Sequence, residues 1–268
     1  MNVIPPPLRP WSGNSMNQCL FEEIPVFWEA NDAITFLANI GMYNPWLYHV
    51  LDNSEKEQEQ KFKTDYFKKR FTISRSLLKH ILQPILAADN PSDILLSKEK
   101  KGRVILPGRP EICISLSYSG PYIAITVGKQ KIGSDIEVMR PVKANKISSS
   151  QIFINYLHTD DREYLQRVIH VWTLVESYAK LYDDNPYSLL NSCSLFNYAN
   201  FVSYCINNRL IFSLASGNKQ FTEVLVWLDS SDIGEVSHLT GTTWPSRVIP
   251  LLLIRFYHQM SDRIGDIV

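Results

Sequence analysis

The stretch Ile132-Gly133-Ser134-Asp135-Ile136-Glu137-Val138 reads as a strand in which Ser134 and Ile136 face one way and Asp135 and Glu137 the other. Two carboxylates side by side on one face of an otherwise apolar strand repel each other unless a cation or a base neutralises them. Hard oxygen ligands at this spacing suit Mg²⁺, which keeps several waters and bridges protein carboxylates to substrate phosphates. A second reading, solvated acids on an edge strand, stands beside the first, and Asp135-Ile136-Glu137 alone does not separate them. Just upstream, Ile112, Ile114, Leu116 and Tyr118 alternate with Cys113, Ser115, Ser117 and Ser119, and Ser119-Gly120-Pro121 supplies a turn. Tyr122 to Val127 forms the next strand, and a turn through Gly128 to Lys131 leads into the acidic one.

Helical periodicity flanks these strands. Phe62, Tyr66, Ile73, Leu77 and Ile81 predict an amphipathic helix within Glu55 to Leu82, ended by Pro84. Its other faces carry Lys68, Lys69, Arg70, Arg75 and Lys79, the pattern of a solvated face. A second helix is expected from about Asp160 to Tyr182. Leu165, Val168, Trp172, Val175 and Ala179 form its apolar stripe, Asp160 and Glu163 resemble a capping pair, and Asp183-Asp184-Asn185-Pro186 stops it. On that helix Trp172, Glu176 and Lys180 follow at i, i+4 and i+8. An exposed Glu-to-Lys pair at this spacing is worth only a few tenths of a kcal/mol, about 0.3, as surface decoration. Here the pair borders the apolar stripe, and burial would give both charges a function. Ile34 to Ile40 carries a weak helical pattern, while Phe201 to Ile206, Leu210 to Leu214, Thr222 to Leu228 and Val248 to Ile254 read as strands. The expected fold class is α+β.

Lys and Arg total 27 against 27 Asp and Glu, a net charge of zero, which excludes the basic excess of a dedicated duplex-nucleic-acid binder. The 268 residues allow one large domain or two modest ones. Cys19, Cys113, Cys193 and Cys205 form no CxxC pair, so neither a zinc cluster nor a dense disulfide framework is expected, and a reducing cytoplasm is the simplest home. Met1-Asn2-Val3-Ile4-Pro5-Pro6-Pro7 lacks the basic and apolar regions of a secretory signal. The longest aliphatic run, Val248 to Ile254, is broken by Pro250 and falls far short of the roughly 20 residues that span a bilayer. No GxxxxGK[ST], GxGxxG, HExxH or GxSxG motif occurs, and His49, His80, His158, His170, His238 and His258 have no metal-pair spacing.

Four segments then fall in order: Gly102-Arg103, Ile114-Ser115-Leu116-Ser117-Tyr118-Ser119-Gly120, Ile132 to Glu137, and Trp172-Thr173-Leu174-Val175-Glu176-Ser177-Tyr178-Ala179-Lys180. Together they resemble the motif set of Sfp-type 4′-phosphopantetheinyl transferases over roughly residues 60 to 185. Arg70-Phe71 and Arg75-Ser76-Leu77-Leu78 resemble that family's arginine-bearing helix. The resemblance implies a Mg²⁺-dependent transferase that moves the 4′-phosphopantetheine arm of coenzyme A onto a serine of an apo acyl or peptidyl carrier protein and releases adenosine 3′,5′-bisphosphate. It implies Asp135, Glu137 and Glu176 as metal ligands, Glu176 also as the base for the carrier serine, and Lys180 near the transferring phosphate. Arg70, Arg103, Ser117 and Tyr118 fall where the family contacts coenzyme A, and Trp172 matches the motif tryptophan.

The implied architecture is pseudo-dimeric, two similar α+β subdomains over residues 1–130 and 131–268 with the active site in the cleft between them. The implied protein is a cytoplasmic monomer acting on neither nucleic acid nor membrane. Lys68, Lys69 and Arg75 are candidates for a basic patch that steers an acidic carrier or serves coenzyme A. Two positions depart from the pattern. Tyr118 stands where the family usually has histidine, and Val175 where a basic residue usually precedes the motif glutamate. Tyrosine donates a hydrogen bond but carries no positive charge at neutral pH. Those departures support an alternative, a non-catalytic member that binds coenzyme A or a carrier without transfer. An unrelated α+β interaction domain is the third reading, and it predicts no coenzyme A binding.

Overall fold

The computed structural model describes residues 9–10, 17–19, 24–42, 50–140, 149–150, 164–191, 198–207, 209–218, 221–228 and 251–254. In chain order the elements begin with β1 (Arg9–Pro10), β2 (Asn17–Cys19), α1 (Ile24–Ala30), β3 (Ala33–Asn39), α2 (Asn53–Gln60) and α3 (Asp65–Leu86). A short hairpin follows, β4 (Ser97–Lys98) and β5 (Val104–Ile105), then β6 (Cys113–Ser119), β7 (Tyr122–Gly128) and β8 (Ile132–Val138). The rest comprises α4 (Tyr164–Tyr182), α5 (Pro186–Leu189), β9 (Asn200–Ile206), β10 (Leu210–Ser216), β11 (Glu223–Leu228) and β12 (Leu251–Ile254). The class is α+β, and the three strands read around the acidic pair lie where their alternation puts them.

Two sheets carry the fold. One has six strands in the order β2-β12-β11-β3-β7-β6, the other four in the order β1-β9-β10-β8. Side chains alternate across each strand, so each sheet has two faces to cover. On one face of the six-stranded sheet, Phe36, Ile114, Ile123 and Ile125 pack against Ile73, Leu77 and Ile81 of α3. On its other face, Leu37 and Ala124 meet Ile136, Tyr204, Phe212 and Leu214 of the four-stranded sheet. Helix α4 closes the far side of that second sheet, where the Thr173 hydroxyl lies 2.8 Å from the Ser213 hydroxyl. The layers therefore run α3, sheet, sheet, α4. The connection 129–131 carries the chain from β7 into the second sheet, and β11 returns to the first, pairing in parallel with β3.

Several expectations are corrected. Residues 34–39 are strand rather than helix, with only a short 3₁₀ turn following at Ile40–Met42: β3 lies between β11 and β7, and the six residues from Ala33 to Ala38 are buried, so neighbours on both faces mask any period of two. The helix expected within Glu55 to Leu82 is two helices. Asp52 caps α2, its Oδ1 accepting the Glu55 N–H at 2.8 Å while Glu55 Oε2 accepts the Asp52 N–H at 3.2 Å, and Thr64 caps α3. Pro84 does not end α3. It sits in the last turn, where a missing N–H forfeits one backbone bond, and the helix stops at Ala87 in the left-handed region.

The charged face of α3 is also not wholly solvated. Lys79 is fully buried, its Nζ 2.6 Å from Glu55 Oε2 and 3.4 Å from Asp52 Oδ2, and it donates to the Val50 carbonyl at 3.3 Å. Arg75 is buried too, 4.0 Å from Glu55. An unpaired buried ammonium would be prohibitive, and the capped start of α2 supplies its partners. This corrects Arg75 as a surface steering residue, whereas Lys69 is exposed and Lys68 half-buried. The Asp160 and Glu163 cap, the prolines at 5–7 and Pro250 lie outside the described residues. Among the described residues no helix is long and apolar enough to cross a membrane.

Candidate active site

Asp135 sits in the middle of β8, 3% exposed, beneath the C-terminal half of α4. Gly133, two residues earlier on the same face, has no side chain to hold the helix off. The helix spacing then brings Lys180 over the strand: its Nζ donates to Asp135 Oδ1 at 2.7 Å and to the Ser134 carbonyl at 3.1 Å. Glu176, one turn earlier, has Oε2 3.8 Å from Lys180 Nζ. The i, i+4 pair is therefore a partly sheltered triad with Asp135 rather than surface decoration.

The electrostatics follow from that crowding. Burial pushes the Glu176 carboxyl up to about 7, Asp135 and Glu137 add to the shift, and Lys180 opposes it. Glu137 is also raised, first by burial and then by Asp135, while a hydrogen bond from Ser119 works against the rise. The three acids thus feel one another, which an isolated solvated pair would not.

A cavity of about 340 Å³ opens beside this cluster, its wall including Arg75, Lys98, Arg103, Tyr118, Glu176 and Lys180. Arg75 Nη1 is buried without a hydrogen-bond partner. Burial lowers the affinity of Arg75 and of Lys98 for their protons, and the Arg75 charge lowers that of Lys98 further. Two partly desolvated cations on the wall of an open space suit it to an anion.

The other expected residues divide. Arg103 reaches the cavity wall but is tied to the end of α4, donating to Asp183 Oδ1 at 2.9 Å and to the Lys180 carbonyl. Asp183 also holds Lys131 at 3.3 Å. Arg70 stacks over the Tyr118 ring at 4.6 Å and over Phe67 at 4.8 Å. Ser117 is buried, accepting from the Ile136 N–H at 3.2 Å and donating to Asp135 Oδ1 at 2.6 Å. Trp172 packs on Tyr187 with ring centroids 5.3 Å apart. Arg70, Ser117 and Trp172 do not line the cavity. Lys98, Asp183 and Ser119 escaped sequence reasoning. Lys98 lies in a two-residue strand with no periodicity to mark it, and Asp183 was read only as part of a helix stop.

Among the described residues no three His, Cys, Asp or Glu side chains are grouped closely enough to hold a metal ion by themselves. The donor chemistry nevertheless suits a hard divalent cation. Asp135 Oδ2 is buried without a hydrogen-bond partner, and Glu176 and Glu137 are both raised, first by burial and further by the neighbouring acids. Such a cation needs only one or two carboxylates when water and substrate phosphates complete its shell.

No protein-family model matches the chain. Among curated proteins it is 29% identical over 92 residues to the 4′-phosphopantetheinyl transferase Sfp of Bacillus subtilis (strain 168), an alignment taking in 33% of this chain and 41% of that protein. It is 26% identical over 131 residues to the 4′-phosphopantetheinyl transferase ffp of Bacillus subtilis, taking in 46% of this chain and 58% of that protein. The chain spans about half the length of the curated relatives it matches. Both are distant, and both bear the name of the family that the motif order resembles.

Proposed function

We propose that this chain transfers the 4′-phosphopantetheine group of coenzyme A to a serine of an apo acyl or peptidyl carrier protein. The observation that carries the reading is that Glu176 and Lys180, the latter tied to the buried Asp135 behind them, line a cavity whose wall also presents Arg75 and Lys98. A pyrophosphate-linked substrate needs cations along its phosphates, a group that takes the hydroxyl proton, and acids able to share a divalent cation.

In this reading the carrier serine oxygen bonds to the phosphorus nearest the pantetheine arm as the bond from that phosphorus to the bridging oxygen breaks. Adenosine 3′,5′-bisphosphate leaves with the electron pair. Glu176 takes the serine proton at a carboxylate oxygen, directly or through one water. Lys180, held by Asp135, presents its ammonium to the phosphate oxygens. One or two of the carboxylates of Asp135, Glu137 and Glu176, together with water and substrate phosphate oxygens, would hold Mg²⁺, which would neutralise charge on the pyrophosphate. Arg75, Lys98, Arg103 and Tyr118 line the same cavity and would meet the adenosine and phosphate groups of coenzyme A. Ser117 and Trp172 belong to the site by resemblance and act on it from behind the wall.

Tyr118 lacks the charge of a histidine, and the Arg70 guanidinium stacked on its ring stands outside the cavity wall. Val175 is fully buried in the apolar packing of α4, where a basic residue would have no partner. Residues 1–130 and 131–268 are read as the two halves of a pseudo-dimeric arrangement, the first contributing to the coenzyme A site and the second carrying the metal-binding and catalytic motifs. The protein is read as a cytoplasmic monomer whose partners are coenzyme A and the carrier.

Titration calorimetry with coenzyme A, with and without Mg²⁺, tests the binding half of this reading. Binding that weakens at least about tenfold in Arg75→Met supports it, because that change removes a charge-assisted contact. Absence of coenzyme A binding by the unaltered protein overturns it.

A further inference from the structure

Strand β8 is the last strand of the four-stranded sheet and β6 the last of the six-stranded one. β10 pairs with one edge of β8, and the other edge would leave the N–H groups of Ser134, Ile136 and Val138 without partners. Three hydroxyls from β6 supply them. Ser115 Oγ accepts the Ser134 N–H at 2.9 Å, Ser117 Oγ the Ile136 N–H at 3.2 Å, and Ser119 Oγ the Val138 N–H at 2.9 Å. The alternation of β6 sets these serines two residues apart, the same step as the N–H groups they meet.

The three hydroxyls differ in where their own protons go. Ser117 donates to Asp135 Oδ1 at 2.6 Å, and Ser119 donates to Glu137 Oε2. Ser115 reaches no carboxylate, its further contact being the Ser134 carbonyl at 3.5 Å. With Ser117 and Lys180 both on Oδ1, the Asp135 carboxylate is fixed in rotation and its Oδ2 is left buried with no donor. Ser117 has both its donor and one acceptor site engaged, which gives it work on the acid rather than on a ligand.

We propose that Ser117 and Ser119 are positioning residues, which lock the carboxylates of Asp135 and Glu137 to the edge of β8 so that their remaining oxygens face a divalent cation. This rests on the reading of those acids as cation ligands. Hydrogen bonds to ligating carboxylates are the part of such a site whose loss commonly weakens metal affinity by about 10- to 100-fold. The seam also explains why a hydroxyl recurs at alternate positions of β6, since an apolar side chain would leave the N–H of β8 unserved, and at 117 and 119 the carboxylate as well.

The test uses the full chain and Mn²⁺ as the probe, with free Mn²⁺ read by electron paramagnetic resonance and folding read by urea denaturation. Ser117→Ala and Ser119→Ala are each expected to raise the Mn²⁺ dissociation constant by about tenfold or more, and Ser119→Thr, which keeps the hydroxyl, to restore it. Ser115→Ala is expected to lower the urea midpoint, having lost the same kind of N–H partner, while leaving Mn²⁺ affinity unchanged. Should Ser117→Ala not fold, the Ser119 pair decides, because that residue lies at the strand end. Equal Mn²⁺ affinity in the unaltered protein and in Ser119→Ala overturns the proposal, as does a loss in Ser115→Ala matching that in the other two. Absence of Mn²⁺ binding by the unaltered protein defeats the underlying reading of the acids, and is thereby distinguished from failure of the serine seam alone.

Discussion

Gly133 on β8 lies so close beneath α4 that a Cβ there would collide with the Ser177 carbonyl oxygen and with the Leu181 backbone nitrogen. The contact is backbone against backbone, so no side chain can swing away to relieve it. It sets the separation between strand and helix that lets Lys180 reach Asp135.

Gly133→Ala should therefore destabilise the protein by about 3 kcal/mol, at the upper end of overpacking costs. Urea denaturation gives the number. Transfer activity should fall further than the folded fraction does, because the helix carrying Glu176 and Lys180 is lifted off the strand.

Lys180→Met leaves Asp135 buried with its remaining donor at Ser117 and removes the ammonium from the phosphate side of the site. The expected loss in kcat is about 10² to 10³, the range for removing one oriented donor from a charge-developing transition state. Stopped-time assays of adenosine 3′,5′-bisphosphate release measure it, and an unchanged kcat would remove Lys180 from the chemistry.

Lys79 and Glu55 form a buried pair far from solvent, with side chains 0% and 6% exposed. Lys79→Met should cost about 3–5 kcal/mol, since it strands a buried carboxylate, and adding Glu55→Met should recover part of that loss. Denaturation midpoints of the two single variants and the double variant complete the cycle.

Burial holds the His170 imidazole down to about 3 from an ordinary 6.5. Between those values the unfolded chain binds a proton that the folded one refuses, so stability is lost as pH falls through 6.5, by at most about tenfold in the folding constant per pH unit. Glu176, raised to about 7, contributes the opposite dependence over the same range and is common to both proteins, so the effect of His170→Gln is read as the difference between the two: the variant should gain stability relative to the unaltered protein as pH falls from 6.5 to about 4.5. Urea midpoints of both proteins across that range provide the comparison.

The acidic strand was legible because alternation survives where one face meets a sheet and the other a helix. Ile132 and Ile136 belong to the core between the sheets, and Asp135 and Glu137 face α4. β3 was not legible, since a strand buried on both faces loses its period and a short apolar run then resembles a helix. The charges of α3 misled for a different reason. Arg75 and Lys79 are buried by partners at 52–55, on an element whose docking no helical period encodes. At the site, spacing showed that Asp135 and Glu137 share a strand face and Glu176 and Lys180 a helix face, but not that Lys180 reaches Asp135. The ties of Arg103 to Asp183 and of Ser119 to Glu137 join distant or separately folded strands and leave no local pattern to read.

The most direct test of transfer is the intact mass of a panel of apo carrier proteins after incubation with this protein, coenzyme A and Mg²⁺. The reading predicts that at least one carrier gains the mass of a single phosphopantetheine, and that the gain is lost with EDTA and with Glu176→Gln. No gain on any carrier, with coenzyme A still bound, would contradict catalysis and leave a binding protein in its place.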